Sequence, residues 1–494
     1  MRLALSRGSP AQLDGQASQT LPRQAVWRQA ARAVVRRHWL AVALLAAGLV
    51  LRVLALLADR PALLFVDSVR YLYNAYGMDP LGYTGVLKAI LFVANLDTVA
   101  AVQHLLGLGM AVVIYLLLLR RGVPRWLAAL AMAPVLLDAY QLQIEQMIMP
   151  DTLFEALIVG GLAILLWQTS ARLGWRRLVV AGVVLGTSAT VAQVGEALIL
   201  PAVIYLLAAG GGWRRAIGRA AAMCAAFALP ILVYCTGSYL VAGDFFLSHT
   251  GVTSLYGRTA SAVDCATIKL PAAERGMCPT HAQQAMGPDW LEYADGSPIR
   301  PYYLHLPRGE ADTLISNFNH QVLAQQPQRL LGAYARDVVK PFALTRNTRP
   351  GDTSISRWQF QTKYTYYPPW TSEAMVKAAT ARFGGGPPTV WRPVAGFLRA
   401  YQLHGGYTPG PVLLVCVLAS LAGCACLLRR RLELATRQLG LACLALFGSA
   451  AFVLLVSDVF EFSWRYQLPA LVTLVPAGAL GISVIARSIG ARPA

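Results

Sequence analysis

The sequence predicts an all-α polytopic membrane protein of about ten transmembrane helices, with amphipathic helices on its outer face and one large extracytoplasmic loop region. Three observations carry that reading. Hydrophobic residues fill 56% of the 494 positions and charged residues only 14%, whereas soluble globular chains are roughly 25% charged. Ten apolar runs succeed one another along the chain. Arginines gather in alternate connections between these runs, as the positive-inside rule requires.

The runs have cores at 39–58, 98–119, 126–143, 151–168, 178–194, 196–210, 218–242, 409–428, 438–456 and 467–487. Each approaches the ~20 residues that cross a bilayer, so one membrane domain uses most of the chain. Arg28, Arg32, Arg36 and Arg37; Arg120, Arg121 and Arg125; Arg172, Arg176 and Arg177; Arg214, Arg215 and Arg219; Arg429, Arg430, Arg431 and Arg437; and Arg487 and Arg492 all fall on one side. That side is assigned to the cytoplasm, which makes both termini cytoplasmic. Asp67, Glu145, Asp151, Glu196 and Arg465 then share the opposite face. Four regions follow: a basic tail (1–38), a transmembrane module (39–242) with a candidate catalytic first outer loop (59–97), an extracytoplasmic region with helices (243–408) and C-terminal transmembrane helices (409–494).

The formal charge of +19 is carried by these short arginine runs, so nucleic acid is not an expected partner. Arg28, Arg32 and Arg36 recur every four residues, which would give a helix one basic face for anionic headgroups; a solvated tail that only sets orientation explains them as well. No cleavable leader is expected, because the first apolar run begins near Trp39 and is of full span length.

Cys265 and Cys278 flank a polar stretch of the outer region, where the compartment is oxidising. A disulfide between them is expected, worth about 3 kcal/mol in the chain-entropy model. The remaining six cysteines lie in apolar runs as small buried side chains. Neither they nor the seven scattered histidines show metal-ligand spacing.

The candidate chemistry lies at the outer ends of the runs. Asp67 opens DSVRYLYNAY, in which Asp67, Tyr71 and Asn74 share a helical face and Arg70 sits one turn from the carboxylate. Beyond Pro80-Leu81-Gly82-Tyr83, the half-apolar stretch TGVLKAILFVA, containing Lys88, reads as a re-entrant or interfacial helix. A second cluster, QIEQMIMPDTLFEAL, holds Glu145, Asp151 and Glu155. Pro150 and Asp151 also make an ordinary helix opening, since Pro fits the first turn and an acid complements the helix dipole. Glu155 lies a turn deeper and needs a partner or a watery cavity. Two separated carboxylates can divide glycosyl chemistry, one deprotonating an acceptor and the other positioning. The last outer turn brings Asp458, Glu461, Arg465 and Tyr466. Arg465 there either snorkels to the interface or contacts a phosphate.

The order of these elements resembles the GT-C superfamily of membrane glycosyltransferases: a first-loop acid (Asp67), a Gly-Tyr after Pro (Pro80, Gly82, Tyr83), an acid opening a later span (Asp151), and Arg465-Tyr466-x-x-Pro469 before the last span. More narrowly it is similar to the branch of protein O-mannosyltransferases and lipid A aminoarabinose transferases, over roughly 39–240 and 409–487. The resemblance implies Asp67 as general base and Asp151 as a second active-site acid. It implies Arg465, with Tyr466, Arg70 and Lys88, as contacts for donor phosphate or lipid. Tyr71, Tyr83, Glu145, Glu155 and His104 are assigned to the acceptor or substrate. The Glu-Lys-Pro-Pro signature of the aminoarabinose transferases is absent, and Gln193 stands where many relatives carry an arginine.

The implied reaction is inverting transfer of a sugar, with mannose, arabinofuranose and aminoarabinose as precedents, from a polyprenyl phosphate to an envelope glycan, glycolipid or secreted acceptor. No nucleotide-binding Gly-rich loop is needed. No cofactor is certain, and a divalent cation, Mg2+ or Mn2+, is left open. Ala- and Arg-rich usage favours a bacterial plasma membrane. A lipid-linked substrate flippase and a non-catalytic assembly protein remain the alternatives.

Overall fold

A computed structural model describes residues 35–73, 80–368, 371–429 and 432–490. Most of the basic tail, with Arg28 and Arg32, and also Asn74, Trp370, Arg430, Arg431 and Arg492 lie outside the described residues. The membrane module runs through α1 (Trp39–Ala58), α2 (Ser68–Tyr73), α3 (Gly82–Val93), α4 (Leu96–Arg120), α5 (Arg125–Leu137), α6 (Ala139–Gln146), α7 (Asp151–Leu166), α8 (Trp175–Val191), α9 (Ile199–Ala208) and α10 (Trp213–Ala242). Between that module and the last helices come α11 (Gly251–Ala262), α12 (His281–Ala285), α13 (Pro288–Tyr293), α14 (Arg300–His305), α15 (Arg308–Gln325), α16 (Pro327–Val338), α17 (Glu373–Phe383) and α18 (Arg392–Leu403). The chain closes with α19 (Gly410–Ala425), α20 (Leu434–Phe460) and α21 (Pro469–Gly490).

Every predicted run is helical, but fewer than ten of the described helices have the length and hydropathy of a full span. Among the described residues six helices are long and apolar enough to cross a membrane, and α5 with α6 makes a seventh if the pair, bent by 49°, is one span. The other three fall short for local reasons. α7 has 16 residues, α8 has 17 and α9 has 10, about 24, 26 and 15 Å at the helical rise, against a hydrocarbon core of ~30 Å. A 3-10 stretch, Gln193–Leu198, consumes the start of the 196–210 run.

The bend between α5 and α6 has an identifiable cause. Pro134 withdraws one backbone donor within α5, and Asp138 then stops the helix and caps the next one, accepting from the Tyr140 amide at 3.0 Å. The last span is the hub of the bundle: 83% of its apolar stretch is buried in the protein, compared with 22% for α1. α21 packs on α4, α5, α19 and α20. Its burial fixes the place of Arg465, which sits just ahead of it.

The region from α11 to α16 has its own apolar core, built around Tyr256, Met277, Leu291, Ile315 and Phe318. Cys265 and Cys278 are bonded there, with Cα atoms 5.9 Å apart. The bond closes a loop of 13 residues, so replacing both cysteines by serine should cost about 3 kcal/mol. Limited proteolysis of this region, before and after reduction, would check that loss. Pro327 separates α15 from α16.

Arg258 of α11 fastens this region to the bundle. Its guanidinium donates to the carbonyls of Asp458, Val459 and Phe460 at 2.9–3.1 Å and to Asp337 at 2.6 Å, so it caps carbonyls that the end of α20 leaves open. A second clamp joins Arg346 to Asp138 at 2.8 Å. The Arg346 guanidinium lies over Tyr140, Tyr407 and Trp464, 4.5–5.5 Å from each ring centre. The following segment runs beside the first loop. Tyr364 donates to Ala62 O and accepts from Leu64 N, and Thr371 donates to Phe65 O. A short antiparallel pair, β1 (Asp59–Arg60) with β2 (Thr389–Val390), closes the same seam. Asp67 therefore stands on a loop held by residues some three hundred positions later.

Candidate active site

Three separate parts of the sequence bring charge to one point. Asp67 precedes α2, Asp151 opens α7, and Arg465 begins the 3-10 turn that leads into α21. Arg465 lies between the two acids: Nη1 reaches Asp67 Oδ2 at 3.0 Å and Nε reaches Asp151 Oδ1 at 2.7 Å. The other Asp67 oxygen accepts from Arg70. All three bridged side chains are mostly enclosed, with exposures of 10–16%. Arg465 also sits over the rings of Trp358 and Tyr466, at 5.6 and 5.5 Å. A planar guanidinium is the side chain that can hold two carboxylates from different edges at once.

Burial alone would raise the Asp67 carboxyl, but Arg70 and then Arg465 outweigh it and hold it below its ordinary value. Asp67 is therefore ionised and, while both arginines are in place, a weak base.

Two cavities meet at Arg465 and Tyr466. The smaller, about 170 Å³, is walled by Asp67, Arg70, Asp289, Thr353, Arg357 and Ser463 among others. The larger, about 310 Å³, combines apolar wall from Pro80, Pro150, Val191, Val194, Val456 and Phe460 with Gln193, Glu196 and Glu292. Tyr71, Tyr293, Glu461, Arg465 and Tyr466 line both. Asp67 lines the smaller cavity, whereas Asp151 lies behind Arg465 and lines neither. Asp151 therefore reaches the site only through its bond to the Arg465 guanidinium. Its second oxygen, Oδ2, has no hydrogen-bond partner among the described residues.

Several sequence-assigned residues lie elsewhere. Glu145 is fully buried and pairs with Arg52 at 2.7 Å and His104 at 2.9 Å, while the other nitrogen of His104 faces Gln146 at 2.9 Å. This triad ties α1, α4 and α6 together inside the bundle, so Glu145 and His104 hold structure rather than acceptor. Gly107 makes room for it: a Cβ there would lie 2.1 Å from Glu145 Oε1 and 2.6 Å from Arg52 Nη2. Glu155 is also fully buried and accepts from Gln141 at 2.8 Å. Tyr83 is buried against Tyr71 and donates to Gln103 at 2.9 Å. Lys88 is exposed on α3, at the edge of the face that buries Tyr83, Thr84 and Leu87. Lys340, in the region between the spans, pairs with Asp337 and Asp352 at 2.6 and 2.5 Å.

Glu145→Ala would leave Arg52 buried without its counter-ion, at a cost of about 3–5 kcal/mol. Thermal unfolding should report that loss, while the folded fraction keeps its turnover.

Sequence reasoning missed Arg357, Trp358 and Glu292. They come from the region between the spans, and no spacing rule joins them to Asp67. Burial pushes Glu292 up to about 7, although Ser254 and Thr253 donate to it at 2.7 and 3.1 Å. A carboxyl raised in this way binds a proton in the native protein that the unfolded chain has released above pH 4.5. Its contribution to stability is therefore present at low pH and lost as pH rises toward about 7. Glu292→Gln should flatten that part of the slope in thermal melts taken between pH 5 and 8. Glu461 is pushed up by burial and by the nearby Asp289 and Glu292.

Among the described residues no group of three or more His, Cys, Asp or Glu side chains is placed to hold a metal ion. Of the carboxylates that line the cavities, Asp67 and Asp289 face arginines, whereas Glu196, Glu292 and Glu461 have no ion pair with an arginine among the described residues.

A family model described as dolichyl-phosphate-mannose-protein mannosyltransferase matches residues 71–217. This stretch begins just after Asp67 and includes Asp151 but not Arg465. The match supports the GT-C reading of the sequence and a multi-pass membrane glycosyltransferase. Two solved structures are similar to the chain. The protein O-mannosyltransferase complex of S. cerevisiae bound to the sugar donor is 16% identical, with a TM-score of 0.34, over 47% of this chain and 37% of that one. The oligosaccharyltransferase of Archaeoglobus fulgidus, in complex with an inhibitory peptide and a dolichol-phosphate, is 12% identical, with a TM-score of 0.40, over 93% of this chain and 53% of that one. The chain spans between about a third and a half of the length of these solved chains. No curated protein matches.

Proposed function

We propose that this protein transfers a sugar, with mannose as the first candidate, from a polyprenyl-phosphate donor to a hydroxyl-bearing glycan, glycolipid or secreted acceptor on the outer face of a bacterial plasma membrane. The observation that carries the proposal is the bridging of Asp67 and Asp151 by Arg465 at the junction of an apolar and a polar cavity. That layout suits a reaction with one greasy and one hydrophilic substrate. The family match over 71–217 favours mannose among the sugars.

In this reading the lipid enters the larger cavity and brings its phosphate to Arg465. The acceptor hydroxyl enters the smaller cavity beside Asp67. The phosphate competes with Asp67 for the Arg465 guanidinium, so donor binding draws the arginine off the carboxylate and restores its basicity. Asp67 takes the hydroxyl proton as the acceptor oxygen forms a bond to the anomeric carbon. The bond from that carbon to the phosphate oxygen breaks, and its electron pair stays on the phosphate, where Arg465 meets the added charge. Attack opposite the leaving group inverts the anomeric configuration. Asp151 keeps the guanidinium in place throughout. No step runs through a cation.

The test is a transfer assay on the purified chain in mild detergent, with radiolabelled polyprenyl-phosphate mannose and an envelope fraction as acceptor. Labelled acceptor and free polyprenyl phosphate in equal amounts are the expected products. Absence of both transfer and donor binding, with mannose and pentose donors alike, would overturn the proposal.

A further inference from the structure

α7 and α21 start at the candidate active site and finish at the far end of the bundle, about 24 and 33 Å away at the helical rise. There a further cavity of about 540 Å³ opens. Arg120 and Arg121 reach it from the end of α4, Arg172 from the connection between α7 and α8, and Arg487 from the last turns of α21. None of the side chains lining it is acidic. Basic residues at a membrane end usually spread over the surface to set orientation. Here four guanidinium groups from three elements converge on one opening.

The walls of this opening are held firmly. Arg120 Nε donates to Trp167 O, Arg121 to Gln168 O and Arg487 to Gly122 O, each at 2.7 Å. These bonds occupy only part of each five-donor guanidinium. Arg120 also lies over the Trp167 ring, 5.2 Å from its centre. The connecting segment is pinned from outside by Gln438, which accepts from Ser170 N at 3.0 Å, and by Arg219, which donates to Ser170 O and Leu173 O at 3.1 and 2.8 Å. The Arg172 side chain, by contrast, is exposed and has no hydrogen bond or ion pair among the described residues. Leu434, also on the rim, is 71% exposed.

We infer that this cavity is a binding site for the phosphate headgroup of an anionic membrane lipid, separate from the candidate active site. Four cationic forks with donors to spare and no carboxylate competitor match the geometry of a phosphate. The exposed apolar rim offers a path for the acyl chains that a free phosphate would not use.

The test uses the full chain purified in neutral detergent and native mass spectrometry, with phosphatidylglycerol and phosphatidylcholine as probes. The unaltered protein should retain phosphatidylglycerol at least tenfold more tightly than phosphatidylcholine. Arg172→Gln with Arg487→Gln should remove that preference while thermal melting shows an intact fold. Should the double variant not fold, Arg172→Gln alone decides, with a drop in phosphatidylglycerol affinity of at least threefold expected. Equal retention of the two lipids, or unchanged phosphatidylglycerol affinity in a folded variant, would refute the site. Displacement of the lipid by millimolar inorganic phosphate would reassign it to free phosphate and so overturn the lipid claim.

Discussion

Replacing Arg465 by Gln is expected to lower sugar transfer by about 10²–10³-fold, the effect of deleting one preorganised charge-stabilising donor. Two losses combine in that number. The departing phosphate loses its cation, and Asp67 and Asp151 lose the group that now separates them. Those two carboxylates, left mostly enclosed around an uncharged amide, repel one another, so Tm should fall as well. Arg465→Lys is the informative companion. Its single ammonium keeps the charge but cannot hold two acids from separate edges, so turnover should stay low while Tm largely recovers. Initial rates at saturating donor, read beside melting curves, separate the two contributions. A variant with full turnover would remove the arginine from the chemistry.

Asp67→Asn should lower transfer by about 10²–10⁴-fold, the range for loss of a general base, while donor affinity is unchanged or improved. Improvement would follow from competition, because the amide binds Arg465 less strongly than the carboxylate does and leaves it free for phosphate. Arg70 and Arg465 hold the Asp67 carboxyl below its ordinary value of 3.8. Its share of native stability is therefore present above that value and is lost as pH falls through the lowered one. The acid limb of donor-free stability should accordingly shift in Asp67→Asn, as melts between pH 3 and 6 would show. A base that is tied up before donor arrives also limits wasteful proton transfer to water. Loss of donor binding together with turnover would assign Asp67 to lipid capture instead.

The membrane character and the helical positions were legible because apolar run length and arginine alternation are local signals. The span count was not, since a run can continue through a charged helix start such as Asp151 or a 3-10 turn such as 193–198 without a break in hydropathy. For the site, Asp67, Arg465 and Asp151 could be singled out as polar residues where spans meet water. Which acids face a cavity and which face one another depends on tertiary contacts. Glu145 and Asp151 are six positions apart and alike in sequence context, yet Arg52 claims the first and Arg465 the second.

Asp67 and Arg465 are nearly four hundred residues apart in the chain, and Tyr364 and Thr371 brace the loop on which Asp67 stands. A nascent polypeptide that has emerged only as far as residue 430 would carry both acids with no guanidinium between them. On the proposed function, transfer would then begin only once the final helix is threaded into the bundle, which couples the onset of activity to completed insertion. Expressing 1–429 and 432–494 as separate fragments would recover activity only where the second docks against the first.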